Sequence, residues 1–197
     1  MRLLRTSLSI VLVAVALTSF GQQAQIRRPV SVPMPAAALL SKAENDAKAQ
    51  GKNVLVIFHA SWCGWCKRLD AFMNETQFQP VFDENFVVTK LTVLEDDKHK
   101  MQENSGGLEV MDQLGGRDAG LPLFAILDPT GKTIITSMRP VDGKDKGENT
   151  GFPAKPEEIT HFLSMMQKGA PKVTADQLKA MQDYLTAKAT PATGGGH

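Results

Sequence analysis

The chain has only two cysteines, Cys63 and Cys66, and they enclose the dipeptide Gly-Trp. They follow an apolar run at 54–58 that is typical of a buried strand. Two thiols at i and i+3, where such a strand passes into a helix, can close and reopen a small disulfide ring. A cysteine in the first turn of that helix meets free N–H groups and the positive end of the dipole, which stabilise its thiolate. We therefore predict that Cys63 attacks a partner's disulfide. Cys66, one turn further in and more shielded, would then resolve the mixed disulfide.

Two other uses of the cysteine pair compete with redox chemistry. A structural disulfide that closes so short a loop removes little chain entropy from the unfolded state, so it would stabilise the fold weakly. The other alternative is a metal-binding module in which Cys63, Cys66 and His59 hold a soft ion such as Cu(I). The C-x-x-C spacing near a strand and a helix favours redox chemistry.

The elements that must position the cysteines alternate between helix and strand. The strand over 52–60 is a continuous apolar run, as expected for a strand buried on both faces. The next strand is parallel to it if the crossover rule holds, and the last two strands form a hairpin. A segment broken near Pro80 and a surface loop over 139–153 complete the chain. Helices are predicted over 36–50, 63–73, 107–114 and 156–168 and from Thr174 onward, and further strands over 86–94, 121–127 and 133–138.

Composition limits the classes of partner. The chain has 197 residues and a formal net charge of +1, with no long basic stretch, so it lacks the electrostatic pattern of a nucleic-acid-binding protein. The charged segment 95–100 lacks the spacing of a calcium loop and is expected to be a solvated loop. Three methionines at helical spacing are expected to pack in the core rather than bind copper, namely Met165, Met166 and Met181. The length suits one compact domain, which we expect to be a monomer.

The two ends of the chain differ from its middle. Residues 1–21 combine basic residues, a short apolar run and small residues, which predicts a cleavable signal peptide and a periplasmic or secreted protein. A Pro-rich linker is expected over 22–35, the main domain over 36–170, a helical extension over 171–190 and a disordered tail over 191–197. In an oxidising compartment, a protein with a single cysteine pair is expected to exchange its disulfide.

Three segments together resemble the thioredoxin superfamily, most closely its exported bacterial members. They are the strand, turn and helix start at 54–67, the Gly-Leu-Pro-Leu-Phe segment at 120–124 and the turn at 128–132. The resemblance implies an α/β fold of three layers, in which a central mixed β-sheet is flanked by helices; the last helix lies beyond the usual core. It also implies a thiol–disulfide oxidoreductase that needs no cofactor besides the Cys63–Cys66 disulfide.

The resemblance also implies how a partner is bound. In the family a cis-proline faces the disulfide and pairs with extended substrate backbone, and the matching residues here are Leu121 and Pro122. Trp62 and Trp65 would provide apolar contact surface around the sulfurs, and we expect Trp65 to be exposed. The expected partners are protein thiols and disulfides, with a membrane electron donor or acceptor as a further candidate. The absence of a cationic residue just before Cys63 favours a reductase.

The chain departs from the family at its proton acceptor. Ile57 stands where many thioredoxins have a buried aspartate. Strand alternation places His59 on the same side as Ile57, nearer the cysteines, so we predict that His59 accepts the proton of Cys66. The alternative is a histidine that only hydrogen-bonds to a neighbouring loop. Lys90 is similar to the lysine that partners the missing aspartate. Without that buried counter-charge, we expect it to turn toward solvent.

Overall fold

The computed structural model describes residues 32–188. Helices and strands alternate through its first part, and a two-stranded hairpin and two helices follow. The helices are α1 (Ala36–Gln50), α2 (Gly64–Met73), α3 (Gln79–Asn85), α4 (Gly107–Gln113), α5 (Pro156–Gly169) and α6 (Ala175–Lys188). The strands are β1 (Asn53–His59), β2 (Phe86–Thr92), β3 (Leu123–Leu127), β4 (Thr133–Thr136), β5 (Met138–Val141) and β6 (Lys144–Asn149).

Strand β1 lies inside a four-stranded mixed sheet with the order β2–β1–β3–β4. It is parallel to β2 and antiparallel to β3, and Ile57 lies opposite Lys90 on one side and Phe124 on the other. The residues from Val54 to Phe58 are at most 4% exposed, which explains why this stretch of the sequence is uniformly apolar. The carboxyl end of β1 leads directly to the cysteines.

The two faces of the sheet carry separate apolar cores. Alternate residues of β1 point to opposite faces, so Leu55 and Ile57 pack with α2, α3, α5 and α6. Val54, Val56 and Phe58 pack with α1 and α4 on the other face. The predicted three-layer fold, a mixed sheet flanked by helices, is confirmed.

The additional C-terminal helix α6 is part of the first core. Met181 and Leu185 are fully buried, and the hydroxyl of Tyr184 donates to Glu75 Oε1 at 2.8 Å. Thr174 and Gln177 exchange hydrogen bonds at the start of the helix, as the predicted capping box requires. Because α6 buries large side chains against α2 and α3, it supports the layer that contains the active-site helix.

The loop predicted over 139–153 was wrong. Strands β5 and β6 form a two-stranded antiparallel sheet there, with Val141 paired to Lys144 across the turn. The charged sequence of β6 has no apolar alternation because no residue of either strand is fully buried. The signal that could have found the hairpin is the Asp142-Gly143 dipeptide, whose glycine has φ +77°.

Smaller differences concern element ends. Pro80 lies in the first turn of α3 rather than breaking a helix, because a proline there lacks only an N–H that would be unpaired anyway. Strand β2 ends at Thr92, two residues before the predicted end, and Leu94 has φ +55°, which turns the chain out of the sheet.

The predicted signal peptide at 1–21, the tail at 191–197 and most of the linker at 22–35 lie outside the described residues. No helix within residues 32–188 combines the length and the apolar character needed to cross a membrane.

We predict that Met181→Ala lowers the free energy of unfolding by about 3 kcal/mol, since it leaves a cavity under α6. Lys179→Ala, on the exposed side of the same helix, should change it by less than about 0.5 kcal/mol, because Lys179 forms only a solvent-exposed ion pair with Asp183. Urea denaturation measures both. Equal effects of the two substitutions would contradict the packing of α6 described here.

Candidate active site

Cys63 is the N-cap residue of α2, and its side chain is part of the cap. The backbone N–H of Cys66 donates to Cys63 Sγ at 3.1 Å, and the two sulfurs form a disulfide with the Cα atoms 5.3 Å apart. The turn into the helix is closed by a hydrogen bond from Cys63 N to Ala60 O at 3.1 Å. The geometry expected from the sequence, a cysteine sulfur at the positive end of a helix, is present.

Both cysteines lie in an apolar setting. Their exposed fractions are 2% for Cys63 and 5% for Cys66, so the expected greater shielding of Cys66 is not seen. Ala60 completes this small cluster. The turn from β1 into α2 covers Cys63 as fully as the first helical turn covers Cys66.

The loop before β3 brings the predicted substrate-binding pair to the disulfide. The Leu121–Pro122 peptide bond is cis, as predicted. Leu121 is half-buried and packs against the cluster of Ala60, Cys63 and Cys66. Because β3 lies next to β1, the loop at its start meets the turn at the end of β1.

The two tryptophans flank the disulfide and remain accessible. Trp62 is 56% exposed and Trp65 is 47% exposed, which agrees with the exposure predicted for Trp65. The Trp65 ring stacks on Phe152 at a centroid distance of 6.1 Å, and the Arg68 guanidinium lies 4.6 Å from its centroid. These two contacts hold the ring in place while leaving about half of it accessible.

A groove of about 420 Å³ extends from Trp65 along the cis-proline loop. Leu121 and Phe152 form its apolar part, and Asn149 and Lys155 contribute polar groups. The groove therefore lies between Trp65, the end of β6 and the start of α5, and its lining combines apolar and polar groups.

Glu95 is a site residue that sequence reasoning missed. It was assigned to a solvated loop, but it is only 7% exposed. Its carboxylate oxygens accept from the backbone N–H of Ser61 at 2.6 Å and from the Ser61 hydroxyl at 2.7 Å. Glu95 thus holds the residue that lies two positions before Cys63. Nothing in the run of charges at 95–100 distinguishes its first member from the others.

The residue before Glu95 fixes the neighbouring tryptophan. Leu94 adopts a left-handed backbone conformation, and its carbonyl accepts from the indole N–H of Trp62 at 2.8 Å. Adjacent residues after β2 therefore hold adjacent residues before Cys63. This double contact restricts the turn that leads into the cysteine pair.

His59 lies at the end of β1 as predicted, but its imidazole contacts Thr92 and not a sulfur. The distance from His59 Nε2 to Thr92 Oγ1 is 3.3 Å, and no hydrogen bond joins His59 to either cysteine within the described residues. Burial lowers the pKa of His59 below its ordinary value; Lys90 lowers it further, while Asp70 and Glu95 act in the opposite direction. The ring is therefore neutral at pH 7 and can accept a proton.

Lys90 has no buried counter-charge and faces solvent, as expected, but it does form an ion pair there. Its ammonium lies 2.7 Å from Asp70 Oδ1, and both side chains are about two-fifths exposed, at 40% and 39%. Asp70 is on α2, so the helix supplies the acid, whereas the strand has Ile57 at the position expected for an aspartate. This pair is at the surface, whereas the aspartate expected from the resemblance would be buried.

The copper alternative has no support in the structure. Within residues 32–188 there is no group of three or more His, Cys, Asp or Glu side chains that could hold a metal ion. His59, the third ligand in that hypothesis, is oriented by Thr92.

Residues 36–129, just under half of the chain, match the family model described as Thioredoxin-like. This stretch is therefore similar to a thioredoxin-like domain. The match runs from the start of α1 to the turn after β3 and includes both cysteines and the cis-proline. Helices α5 and α6 and the β5–β6 hairpin lie beyond it.

Two curated relatives match the chain over shorter stretches. The chain is 31% identical over 84 residues to a protein disulfide-isomerase of Hordeum vulgare, covering 43% of this chain and 14% of that protein. A protein disulfide-isomerase of Zea mays is 40% identical over 47 residues, covering 24% of this chain and 9% of that protein. The chain thus spans only a small part of these curated relatives.

Solved structures also align with the chain at low sequence identity. A disulphide isomerase from Xylella fastidiosa Temecula1 aligns with a TM-score of 0.46 and 18% identity, over 84% of this chain and 99% of that one. The DsbD C-terminal domain of Neisseria meningitidis in its oxidised form aligns with a TM-score of 0.39 and 19% identity, over 54% of this chain and 84% of that one.

We predict that Glu95→Ala lowers the free energy of unfolding by about 2 kcal/mol, because two hydrogen bonds to a charged acceptor are lost. Glu95→Gln should cost less than half as much, since the amide can accept from the Ser61 N–H and donate to the Ser61 hydroxyl. Urea denaturation measures both, with Glu84→Ala, an exposed change on α3, as the control. If Glu95→Ala proved as mild as the control, the contact with Ser61 would not hold the turn.

Proposed function

We propose that this protein is a thiol–disulfide oxidoreductase that acts on protein disulfides through Cys63 and Cys66. The observation that carries the proposal is the disulfide at the N-terminus of α2, where Cys63 Sγ accepts the Cys66 N–H and Leu121 packs against both cysteines. A disulfide so placed can be opened and closed without unfolding a domain. The thioredoxin-like match and the protein disulfide-isomerase relatives support the same chemistry.

The reaction would proceed by two exchanges. The Cys63 thiolate attacks one sulfur of a partner's disulfide, so that a bond between Cys63 and the partner forms as the partner's own S–S bond breaks. Cys66 then gives up its proton and attacks Cys63 Sγ. This step forms the Cys63–Cys66 bond and releases the second partner thiol. The partner gains two electrons and two protons, and this protein loses them.

Partner binding would use the surfaces beside the disulfide. Leu121 and Pro122 would pair with extended substrate backbone, and Trp62 and Trp65 would cover its apolar side chains. The exposure of both tryptophans and the position of Leu121 against the cysteines support these roles. The groove beside Trp65 would accept the chain that continues from the partner's cysteine.

We further propose that the protein works as a reductase. An oxidase would need strong stabilisation of the Cys63 thiolate, and no cationic residue precedes Cys63 to provide it. The reduction potential against glutathione tests the direction: a value near −270 mV agrees with a reductase and one near −120 mV with an oxidase, about the potentials of thioredoxin and DsbA.

The site of action is proposed from the sequence. The basic and apolar pattern over 1–21 favours a cleaved export signal, and therefore a periplasmic or secreted protein that acts as a monomer. In that location a reductase needs electrons from another protein, and a membrane donor would supply them. The domain limits at 36–170 and 171–190 remain part of this proposal.

His59 is proposed as the base that takes the proton from Cys66, directly or through a water molecule. Its neutral ring at pH 7 and its position at the end of β1, next to Ala60, support the role. Thr92 would fix the ring orientation through its hydroxyl. The buried aspartate that serves elsewhere in the superfamily is replaced by Ile57, so another acceptor is needed.

We predict that Cys63→Ser abolishes exchange, whereas Cys66→Ser accumulates mixed disulfides with partner proteins, because the first thiol attacks and the second resolves. Non-reducing gels of extracts from cells that produce each variant show the trapped species. Reducing the same samples should return the monomer band. Equal trapping by the two variants would reject the assignment of roles.

We predict that His59→Ala slows resolution of the mixed disulfide by about tenfold or more, at the low end of general-base effects. In the wild type the resolution rate should fall as the pH drops below about 6.5, because a base with a lowered pKa is lost only when it becomes protonated. In His59→Ala that acid-side fall should be absent. Stopped-flow kinetics at several pH values measure both effects.

His99→Ala is the matched control, because His99 lies in an exposed loop and bonds to Asp96. The first attack by Cys63 should be nearly unchanged in both histidine variants. Unaltered resolution in His59→Ala would assign the proton to water or another group.

A further inference from the structure

Asn149, the last residue of β6, joins the hairpin to the cis-proline loop. Its side-chain Nδ2 donates to the carbonyl of Gly120 at 2.6 Å and to the carbonyl of Pro122 at 3.0 Å. These carbonyls belong to the residues on either side of Leu121. One amide group therefore holds the loop on both sides of the residue that packs against the disulfide.

The oxygen of the Asn149 amide is also hydrogen-bonded. Its Oδ1 accepts from the Ser137 hydroxyl at 2.7 Å and from the Gly151 N–H at 3.2 Å. Ser137 is fully buried, and its hydroxyl accepts from the N–H of Phe124 on β3 at 3.0 Å. All donor and acceptor sites of the amide are used, and since carbonyls can only accept, its nitrogen must face the loop.

In the cis-proline loop, the carbonyls on either side of Leu121 are therefore hydrogen-bonded, whereas the backbone groups of Leu121 itself are not. Within the described residues, the backbone N–H and C=O of Leu121 take part in no hydrogen bond. Leu121 also lines the groove that begins at Trp65, and Asn149 and Phe152 line it as well. The Asn149 contacts leave the Leu121 backbone groups free for an extended chain lying in that groove.

We infer that Asn149 is a positioning residue for protein substrates, which holds the loop around Leu121 in the form that an extended partner segment binds. The inference rests on the proposed oxidoreductase function. Asn149 has no hydrogen bond to either cysteine, so its effect falls on the affinity for a polypeptide and not on the reactivity of the sulfurs. A small disulfide that makes no backbone contact with Leu121 does not depend on it.

The test compares two disulfide substrates with the purified full chain, which dithiothreitol reduces again after each turnover, and the rate without protein is subtracted. Asn149→Ala should raise KM for the disulfides of insulin about tenfold with kcat within twofold, as expected when a loop is no longer held by two hydrogen bonds. The rate with oxidised glutathione should stay within twofold of the wild type. The reduction potential should be unchanged. A general loss of folding would instead lower the rates with both substrates.

Two further variants sharpen the result. Asn149→Asp keeps an oxygen for Ser137 and Gly151 but sets a second oxygen against the carbonyls of Gly120 and Pro122, so it should raise KM for insulin at least as much. It also serves if the alanine variant fails to fold. Asn74→Ala removes an asparagine whose amide donates to a carbonyl at the end of α2, that of Asp70 at 2.7 Å, and should leave KM unchanged.

The outcomes separate the two hypotheses. A wild type that exchanges with neither insulin nor glutathione contradicts the proposed function. A working wild type whose Asn149 variants keep the same KM for insulin, or lose both substrates equally, overturns the role assigned to Asn149. A selective rise in KM for insulin supports it.

Discussion

The site depends on the hydrogen bond between the Cys66 N–H and Cys63 Sγ at the first turn of α2. It exists only if β1 ends where α2 begins, with the turn from Ala60 closed behind Cys63. Strand β1 can deliver the cysteines there because it is fixed on four sides, by β2 and β3 within the sheet and by an apolar core on each face. The sulfur at the helix terminus is thus positioned by a strand whose five central residues are buried, so little freedom remains in the turn itself.

Two polar contacts from distant parts of the chain complete the surroundings of the disulfide. Glu95, after β2, holds Ser61 on the approach to Cys63, and Asn149, at the end of β6, holds the carbonyls around Leu121. In both cases every polar atom of the side chain is hydrogen-bonded, and the side chain binds backbone groups of a loop. These loops have no strand pairing to fix them. The side-chain contacts fix them instead, because an unmade hydrogen bond in a buried place is costly.

The polar groups beneath the site are rearranged relative to the pattern expected from the resemblance. Ile57 makes the centre of the sheet apolar, and Lys90 finds its partner in Asp70 on α2, at a half-exposed position. This leaves His59, neutral and half-buried beside Thr92, as a titratable group at the end of β1. Compared with the pattern expected from the resemblance, the centre of the sheet therefore has no buried charge, and the ion pair beside it is more accessible to solvent.

The sequence alone determined the features that depend on neighbouring residues. The apolar run of β1, the cysteine spacing, the start of α5 at Pro156 and the capping box at Thr174 are local patterns, and each predicted its element correctly. The resemblance carried the mixed sheet and the cis peptide before Pro122. Only the tertiary structure decided the contact of Glu95 with Ser61, the pairing of Lys90 with Asp70 and the contacts of Asn149 with the cis-proline loop, which join residues from 20 to 34 positions apart in the chain. The sequence around a polar residue does not indicate its hydrogen-bond partner. Whether the residue is solvated or bound depends on which loops the fold brings together.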